Sequence, residues 1–147
     1  MVELIAVLLV VGVLAVVAMP NLQGALAMRD SGLRDQVLAG LREARHLAQG
    51  HRRLVCASVA ANQLTLTMAA ANPATSCGNA VRGLDGQTAW TSNAGGITLG
   101  VSPAGVLYFQ PDGRITSDGA GTTPVNASVT VGSEAAISLV GDTGHVQ

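Results

Sequence analysis

The chain opens on an apolar segment, continues with a segment that has one apolar face, and ends in short segments of β-branched residues. No charged residue occurs between Glu3 and Arg29. Beyond Pro20 apolar side chains recur at three- and four-residue spacing, at Leu33, Val37, Leu41, Ala44 and Ala48. That spacing places them on one face of a helix, whereas Arg34, Arg42 and Arg45 fall on its other sides. The pattern predicts one helix from about residue 2 to 50, apolar all round in its first half.

The remainder of the chain is typical of strands bounded by turn residues. Residues 53–59 and 63–68 flank Ala60-Ala61-Asn62 and predict a hairpin. Further strands are predicted at 97–101, 106–110, 114–116, 125–131, 136–140 and 145–147, and residues 72–96 are predicted to be irregular. Runs of strands after a helix favour an α+β fold, in which an antiparallel β-sheet packs on the second half of the helix.

Three interpretations compete for the first twenty residues. A cleaved secretory signal needs a positive region before its apolar core, but the only charge here is the carboxylate of Glu3. A buried helix of a globular core is disfavoured because the segment has no polar stripe. We therefore expect a membrane-inserted helix, with a transmembrane and assembly segment at 1–23 and a globular domain at 24–147. In that domain an amphipathic helix would run to about residue 50 and the sheet would follow.

Net charge and cysteine content limit the partners and the redox state that we expect for the chain. The net charge of −1 gives no general attraction to nucleic acid or acidic lipid. Outside the cytosol, Cys56 and Cys77 are expected to be bridged, with two free thiols as the alternative. Closing a loop of about 20 residues contributes roughly 3 kcal/mol in the chain-entropy model.

Motifs of catalysis are missing from the sequence. It contains no HExxH, no phosphate-binding loop and no Gly-x-Ser-x-Gly. His46 and His51 stand five apart and share a helix face poorly, so they make a poor metal pair. We therefore predict no enzyme activity, no catalytic residue, no cofactor and no metal.

Two sets of residues carry a resemblance to a known family. Met1-Val2-Glu3-Leu4-Ile5, with the apolar run ending in Met19-Pro20-Asn21, resembles the N-terminal helix of type IV pilins and type II secretion pseudopilins. The remainder resembles the GspH/FimT group of minor pilins and pseudopilins, and the tail is also similar to minor pilins of mannose-sensitive haemagglutinin-type pili. The segments that carry this are Leu41 to Arg45, Val55-Cys56, Val106 to Arg114 and Gly141 to Val146.

The resemblance implies a pilin-like fold and a structural role. It implies a subunit of a type II secretion pseudopilus or type IV pilus, which supports protein secretion or pilus biogenesis. Its implied partners are other pilins or pseudopilins and the inner-membrane assembly platform. The implied location is the bacterial inner membrane as a single-pass protein with a periplasmic C-terminal domain, then a periplasmic or extracellular filament.

The family also predicts processing of a precursor. In the family a prepilin peptidase cuts after a Gly, and the new N-terminal Phe is methylated. The chain begins at Met1, where the family would show a basic leader, the Gly and the Phe. We expect the leader and cleavage site to lie upstream of this sequence, either because the start codon is placed too late or because this is a fragment.

Glu3 is the candidate assembly residue, because it matches the family's glutamate. Its carboxylate is expected to pair with the N-terminal ammonium of a neighbouring subunit and so set axial register. The simpler alternative is that Glu3 complements the positive end of the helix dipole. Gly12 and Pro20 are the candidate helix-packing positions. Gly12 lets helices approach closely, and Pro20 would loosen or bend the helix where it leaves the membrane.

A local basic cluster suggests nucleic-acid binding as the alternative function. Some relatives take up DNA, and Arg42, Arg45, Arg52 and Arg53 are the candidate contacts to phosphates of nucleic acid. The competing interpretation is a solvated helix end, where arginines complement the negative pole. Sequence reasoning favours the second interpretation, because the tail carries His145 and Gln147 where DNA-binding relatives carry arginines.

Overall fold

The part of the protein that the structure describes consists of one long helix and ten short strands. The computed structural model describes residues 2–83, 86–91 and 96–147, and for residues 16–27 and Thr91 it describes the backbone alone. The helix, α1, spans Val2–His51. The strands are β1 Val55–Ala60, β2 Gln63–Met68, β3 Asn79–Ala80, β4 Ala89–Thr91, β5 Leu99–Ser102, β6 Leu107–Phe109, β7 Ile115–Thr116, β8 Ala127–Val131, β9 Ile137–Val140 and β10 His145–Val146.

The strands form two antiparallel sheets. The first has the order β3-β2-β1-β6-β7, and β4 pairs with the same edge of β2 as β3 does. The second has the order β10-β9-β8-β5. The predicted hairpin at 60–62 is confirmed, since Ala60 pairs with Gln63 at its tip. The predicted irregular segment 72–96 is wrong in part, because it holds β3 and β4.

The core lies between the second half of α1 and both sheets. The predicted apolar face is confirmed: Leu33, Val37, Leu41, Ala44 and Ala48 are each at most 6% exposed. They belong to one buried cluster that reaches Leu64 and Leu66 of the first sheet and Val129 and Leu139 of the second. Burying an aliphatic side chain stabilises a fold by roughly 1.5–3 kcal/mol, so this helix face makes a large contribution to holding the helix against both sheets.

The helix ends in a hydrogen-bonded cap. The amide of Arg53 donates to the carbonyl of Ala48 at 3.1 Å, and the amide of Arg52 donates to that of Gln49 at 3.4 Å. These two bonds define a Schellman motif, whose left-handed position is usually Gly. Here it is Arg52, with φ of 51°, at a cost of about 1 kcal/mol.

A disulfide fastens the loop after β2 to the first sheet. Cys56 on β1 is bonded to Cys77, which confirms the expected bridge. Cys56 lies in a second, smaller cluster with Leu54 and Ala69, and Tyr108 packs against it. The bridge therefore holds the segment that precedes β3 against the side of the sheet that faces away from the main core.

The predicted membrane span in the first half of α1 is not supported. In the part of the chain that the structure describes, no helix is long and apolar enough to cross a membrane. The predicted pilin-like α+β fold, a long helix with a transmembrane first half whose second half packs on an antiparallel β-sheet domain, is therefore wrong. The predicted single-pass location in the inner membrane gains no support.

Candidate functional site

The start of α1 is the largest apolar surface among the described residues. We define the N-terminal apolar stretch as residues 2–14. Its large apolar side chains are 55–81% exposed, on every side of the helix. Monomeric proteins rarely expose contiguous apolar patches above a few hundred Å². Such a surface is characteristic of a segment that another molecule covers.

The predicted assembly residues lie in or next to this stretch. Glu3 is exposed and stands in the first turn of α1. A Cβ added at Gly12 would meet nothing within 4 Å in the described structure, so a packing role for Gly12 would have to involve another molecule. The helical backbone continues through Pro20, whose side chain lies outside the described residues.

The two sequence segments at 106–114 and 141–146 meet at one corner of the fold. Ile115, just after the first segment, donates its amide to the carbonyl of Gly141 at 2.8 Å. Gly144 adopts φ of +63°, and a Cβ there would collide with the carbonyl oxygen of Gly113. Gly144 is therefore required by close contact with the backbone of a segment about 30 residues away in the chain.

Three arginines of α1 bind the C-terminal part of the chain. Nε of Arg34 donates to the carbonyl of Ala135 at 2.7 Å, and a terminal nitrogen of Arg45 donates to that of Thr143 at 3.0 Å. Nε of Arg42 donates to the carbonyl of Val146 at 3.3 Å. Sequence reasoning missed these roles and placed the same arginines on the solvated sides of the helix. Their acceptors lie about 100 residues away in the chain, and no local pattern reveals them.

Arg42 and Arg45 also line a small cavity, which we call the tail pocket. Its volume is about 230 Å³ and its walls are Arg42, Arg45, His46, His145 and Val146. Positions 42, 45 and 46 share one helix face, and β10 contributes the remaining two residues. The structure thus brings two of the four predicted nucleic-acid contacts together, with two histidines. The other two, Arg52 and Arg53, lie at the helix end and do not line the pocket.

A second cavity adjoins the single tryptophan. It has a volume of about 420 Å³ and is lined by Gln36, Ala39, Gly40, Glu43, Arg82, Gly83 and Trp90. Gly40 is fitted to this wall, because an added Cβ would stand 3.2 Å from both the Trp90 ring and Leu64. The charged side chains of its lining are one acid, Glu43, and one base, Arg82, so the cavity does not gather several groups of the same charge.

Two aspartates are held by hydrogen bonds in turns. The amides of Thr122 and Thr123 donate to the carboxylate of Asp118 at 3.0 and 2.8 Å, and the first of these bonds is the main cause that lowers the pKa of Asp118. Burial raises the pKa of Asp112, but hydrogen bonds from Arg114 outweigh it, so this pKa also lies below its ordinary value.

The loop around Asp118 is expected to loosen in acid. Because its pKa is lower in the folded than in the unfolded chain, its contribution to stability is complete above the unfolded pKa and is lost as pH falls through the folded pKa. In an NMR titration, the Thr122 and Thr123 amide resonances should move with an inflection below 3.8, the ordinary value. Asp118→Asn should abolish that inflection, whereas Asp142→Asn, a charge removal on the exposed tail turn, should leave it in place. An inflection at or above 3.8 would contradict the assignment.

The histidines of the chain do not gather at one metal site. Across the described ranges 2–83, 86–91 and 96–147, no group of three or more His, Cys, Asp or Glu residues is placed to hold a metal ion. His46 and His145 border the tail pocket, whereas His51 is exposed at the end of the helix.

Comparisons with known proteins give no match: none of the family models, curated proteins or solved structures is similar to this chain. The candidate function therefore depends on the surfaces described above and on the sequence resemblance.

Proposed function

We propose that this chain is a structural subunit of the minor pilin or pseudopilin kind, which assembles with other subunits through the start of α1. The observation that supports this is the N-terminal apolar stretch, whose side chains are exposed all round while the second half of the same helix is buried against two sheets. Each large aliphatic side chain covered on assembly would contribute roughly 1.5–3 kcal/mol. A segment of this kind is suited to the centre of a filament.

The proposed partners and setting follow from the same role. The partners are other pilins or pseudopilins and an assembly platform at the bacterial inner membrane, with prepilin peptidase acting on the full precursor. The Cys56–Cys77 bridge supports a location outside the cytosol, where disulfides persist. The filament is a type II secretion pseudopilus or a type IV pilus, and the subunit supports protein secretion or pilus biogenesis.

The role of a nucleic-acid-binding subunit is less well supported. Arg42 and Arg45 each donate to a carbonyl of the C-terminal tail, so part of their donor capacity is used inside the protein. We retain the structural subunit as the proposed function.

An assembly assay tests the proposal. With the gene expressed in its host, Leu8→Asp is expected to lower the amount of subunit in sheared filaments at least tenfold, because a buried carboxylate without a partner is costly. Leu8→Ile keeps the apolar surface and is the matched control. Normal incorporation of Leu8→Asp would refute an assembly role for this stretch.

The same assay addresses the role of Glu3. If its carboxylate pairs with the N-terminal ammonium of a neighbour, Glu3→Ala should also lose incorporation, whereas Glu43→Ala, an exposed acid on the second half of the helix, should not. Equal incorporation of the two variants would leave the helix-dipole role for Glu3.

A further inference from the structure

We propose that the tail pocket binds a phosphate group carried by a small molecule, either inorganic phosphate or a phosphomonoester. This site goes beyond the proposed assembly role and does not depend on it, since the pocket and the N-terminal apolar stretch lie at opposite ends of α1. The pocket's residues, Arg42, Arg45, His46, His145 and Val146, come from the helix and from β10.

The charge of the pocket favours an anion. The two guanidinium groups stay protonated at any physiological pH, and no acidic side chain lines the cavity. In the described part of the chain, ion pairs join Arg34 to Asp35 and Arg114 to Asp112, so neither pocket arginine has a carboxylate within pairing distance. Two fixed positive charges thus face a small cavity without a counter-charge.

The pocket also has unused hydrogen-bond donors. A guanidinium carries five N–H groups, and the contacts to the tail carbonyls use one from each arginine. Nε of Arg45 is buried and has no hydrogen-bond partner. This atom is closed to solvent and lies beside Gly144, so the donors left for an anion are the other N–H groups of the two guanidinium groups. The imidazoles of His46 and His145 add donors from two directions.

The arginines are held in place before any ligand arrives. Nε of Arg42 is fixed by the carbonyl of Val146, and Arg45 is fixed by that of Thr143. Both sit on a regular helix whose neighbouring residues Leu41 and Ala44 are fully buried. Groups that are already ordered lose little conformational entropy on binding, which makes this pair more effective than two mobile surface arginines.

Size and charge select the kind of phosphate. A cavity of about 230 Å³ corresponds to roughly seven or eight water molecules at about 30 Å³ each, which is enough for a tetrahedral oxyanion. A phosphomonoester carries a charge of about −1.5 to −2 at neutral pH, which matches two arginines. A phosphodiester within a nucleic-acid strand carries one negative charge and is flanked by sugars on both sides, so it fits this pocket less well.

Titration of the full chain, held in a nonionic detergent that covers the apolar stretch, tests the site. We expect inorganic phosphate to bind saturably in the millimolar range by calorimetry, and to shift the His46 and His145 imidazole resonances. His46→Ala and His145→Ala should each weaken binding about three- to tenfold. Both side chains are exposed, so their truncation should leave the thermal midpoint nearly unchanged. His51→Ala, on the same helix but outside the pocket, should bind like the wild type.

Three results would overturn the proposal. The first is a wild-type chain that shows no saturable response to phosphate beyond that to chloride at equal ionic strength. The second is a loss of binding in His51→Ala equal to that in the pocket variants. The third concerns the source of the phosphate: a thymidine oligonucleotide with a terminal phosphate should bind more tightly than the same strand without it. Equal binding of the two strands, lost in His145→Ala, would assign the pocket to the nucleic-acid backbone instead.

Discussion

Gly144→Ala is expected to lower the free energy of unfolding by about 2–5 kcal/mol. The residue holds φ of +63°, and an added Cβ would collide with the carbonyl oxygen of Gly113 and stand 3.2 Å from Nε of Arg45. A left-handed conformation costs a non-glycine residue roughly 1–2 kcal/mol, and overpacking against a fixed backbone adds about 1–3 kcal/mol. Urea unfolding followed by circular dichroism measures the change.

Gly32→Ala is the matched control for that substitution. Gly32 lies inside α1, and a Cβ there would meet nothing within 4 Å among the described residues. The same chemical change should therefore stabilise the protein by about 0.5–1 kcal/mol through helix propensity. If Gly144→Ala stayed within 0.5 kcal/mol of the wild type, the contact between the turn at Gly113 and the tail would be wrong.

Removal of the disulfide is the second large effect that we expect. The double variant Cys56→Ala/Cys77→Ala should lose about 3 kcal/mol, since the bridge closes a loop with a sequence separation of 21 and restricts the unfolded chain accordingly. The loss of the buried Cys56 sulfur from the cluster with Leu54 and Ala69 acts in the same direction. The measurement is the urea midpoint in the presence and absence of a reductant.

The reductant itself supplies the control. A fully reduced wild-type chain should unfold near the midpoint of the double variant, and the double variant should not respond to the reductant. A wild-type midpoint that is unchanged on complete reduction would show that the loop is held by packing instead of by the bridge.

The elements that could be predicted are those with a local signal. The buried helix face from Leu33 to Ala48 follows from three- and four-residue spacing, and all five positions are buried. The hairpin around residues 60–62 and the strand β8 follow from β-branched residues between turn signals. In each case the residues that decide the structure lie within a few positions of one another.

The elements that could not be predicted depend on distant partners. β3 and β4 are two and three residues long, too short for periodicity, and exist because the edge of β2 pairs with them. The acceptors of Arg34, Arg42 and Arg45 lie 101, 104 and 98 residues away. Sequence reasoning missed the tail pocket for the same reason, because the second sheet is what places His145 beside the helix.

The membrane interpretation failed for a different reason. Hydropathy measures the side chains of a segment without regard to what covers them, and the apolar residues after Glu3 suggested a span. The described part of α1 does not provide one. An apolar surface that another protein covers and one that lipid covers look alike at this level, and the assay on Leu8 tests only whether this surface is needed for assembly.

The three arginine bonds to the C-terminal part of the chain have a mechanical consequence. Tension applied along α1 from its N-terminal end would reach the second sheet through contacts at Ala135, Thr143 and Val146 as well as through the apolar core. Bonds loaded in parallel must break together, so they resist pulling better than the same bonds broken one at a time. Because the acceptors are neutral carbonyls, this resistance should also depend less on salt than a row of ion pairs would.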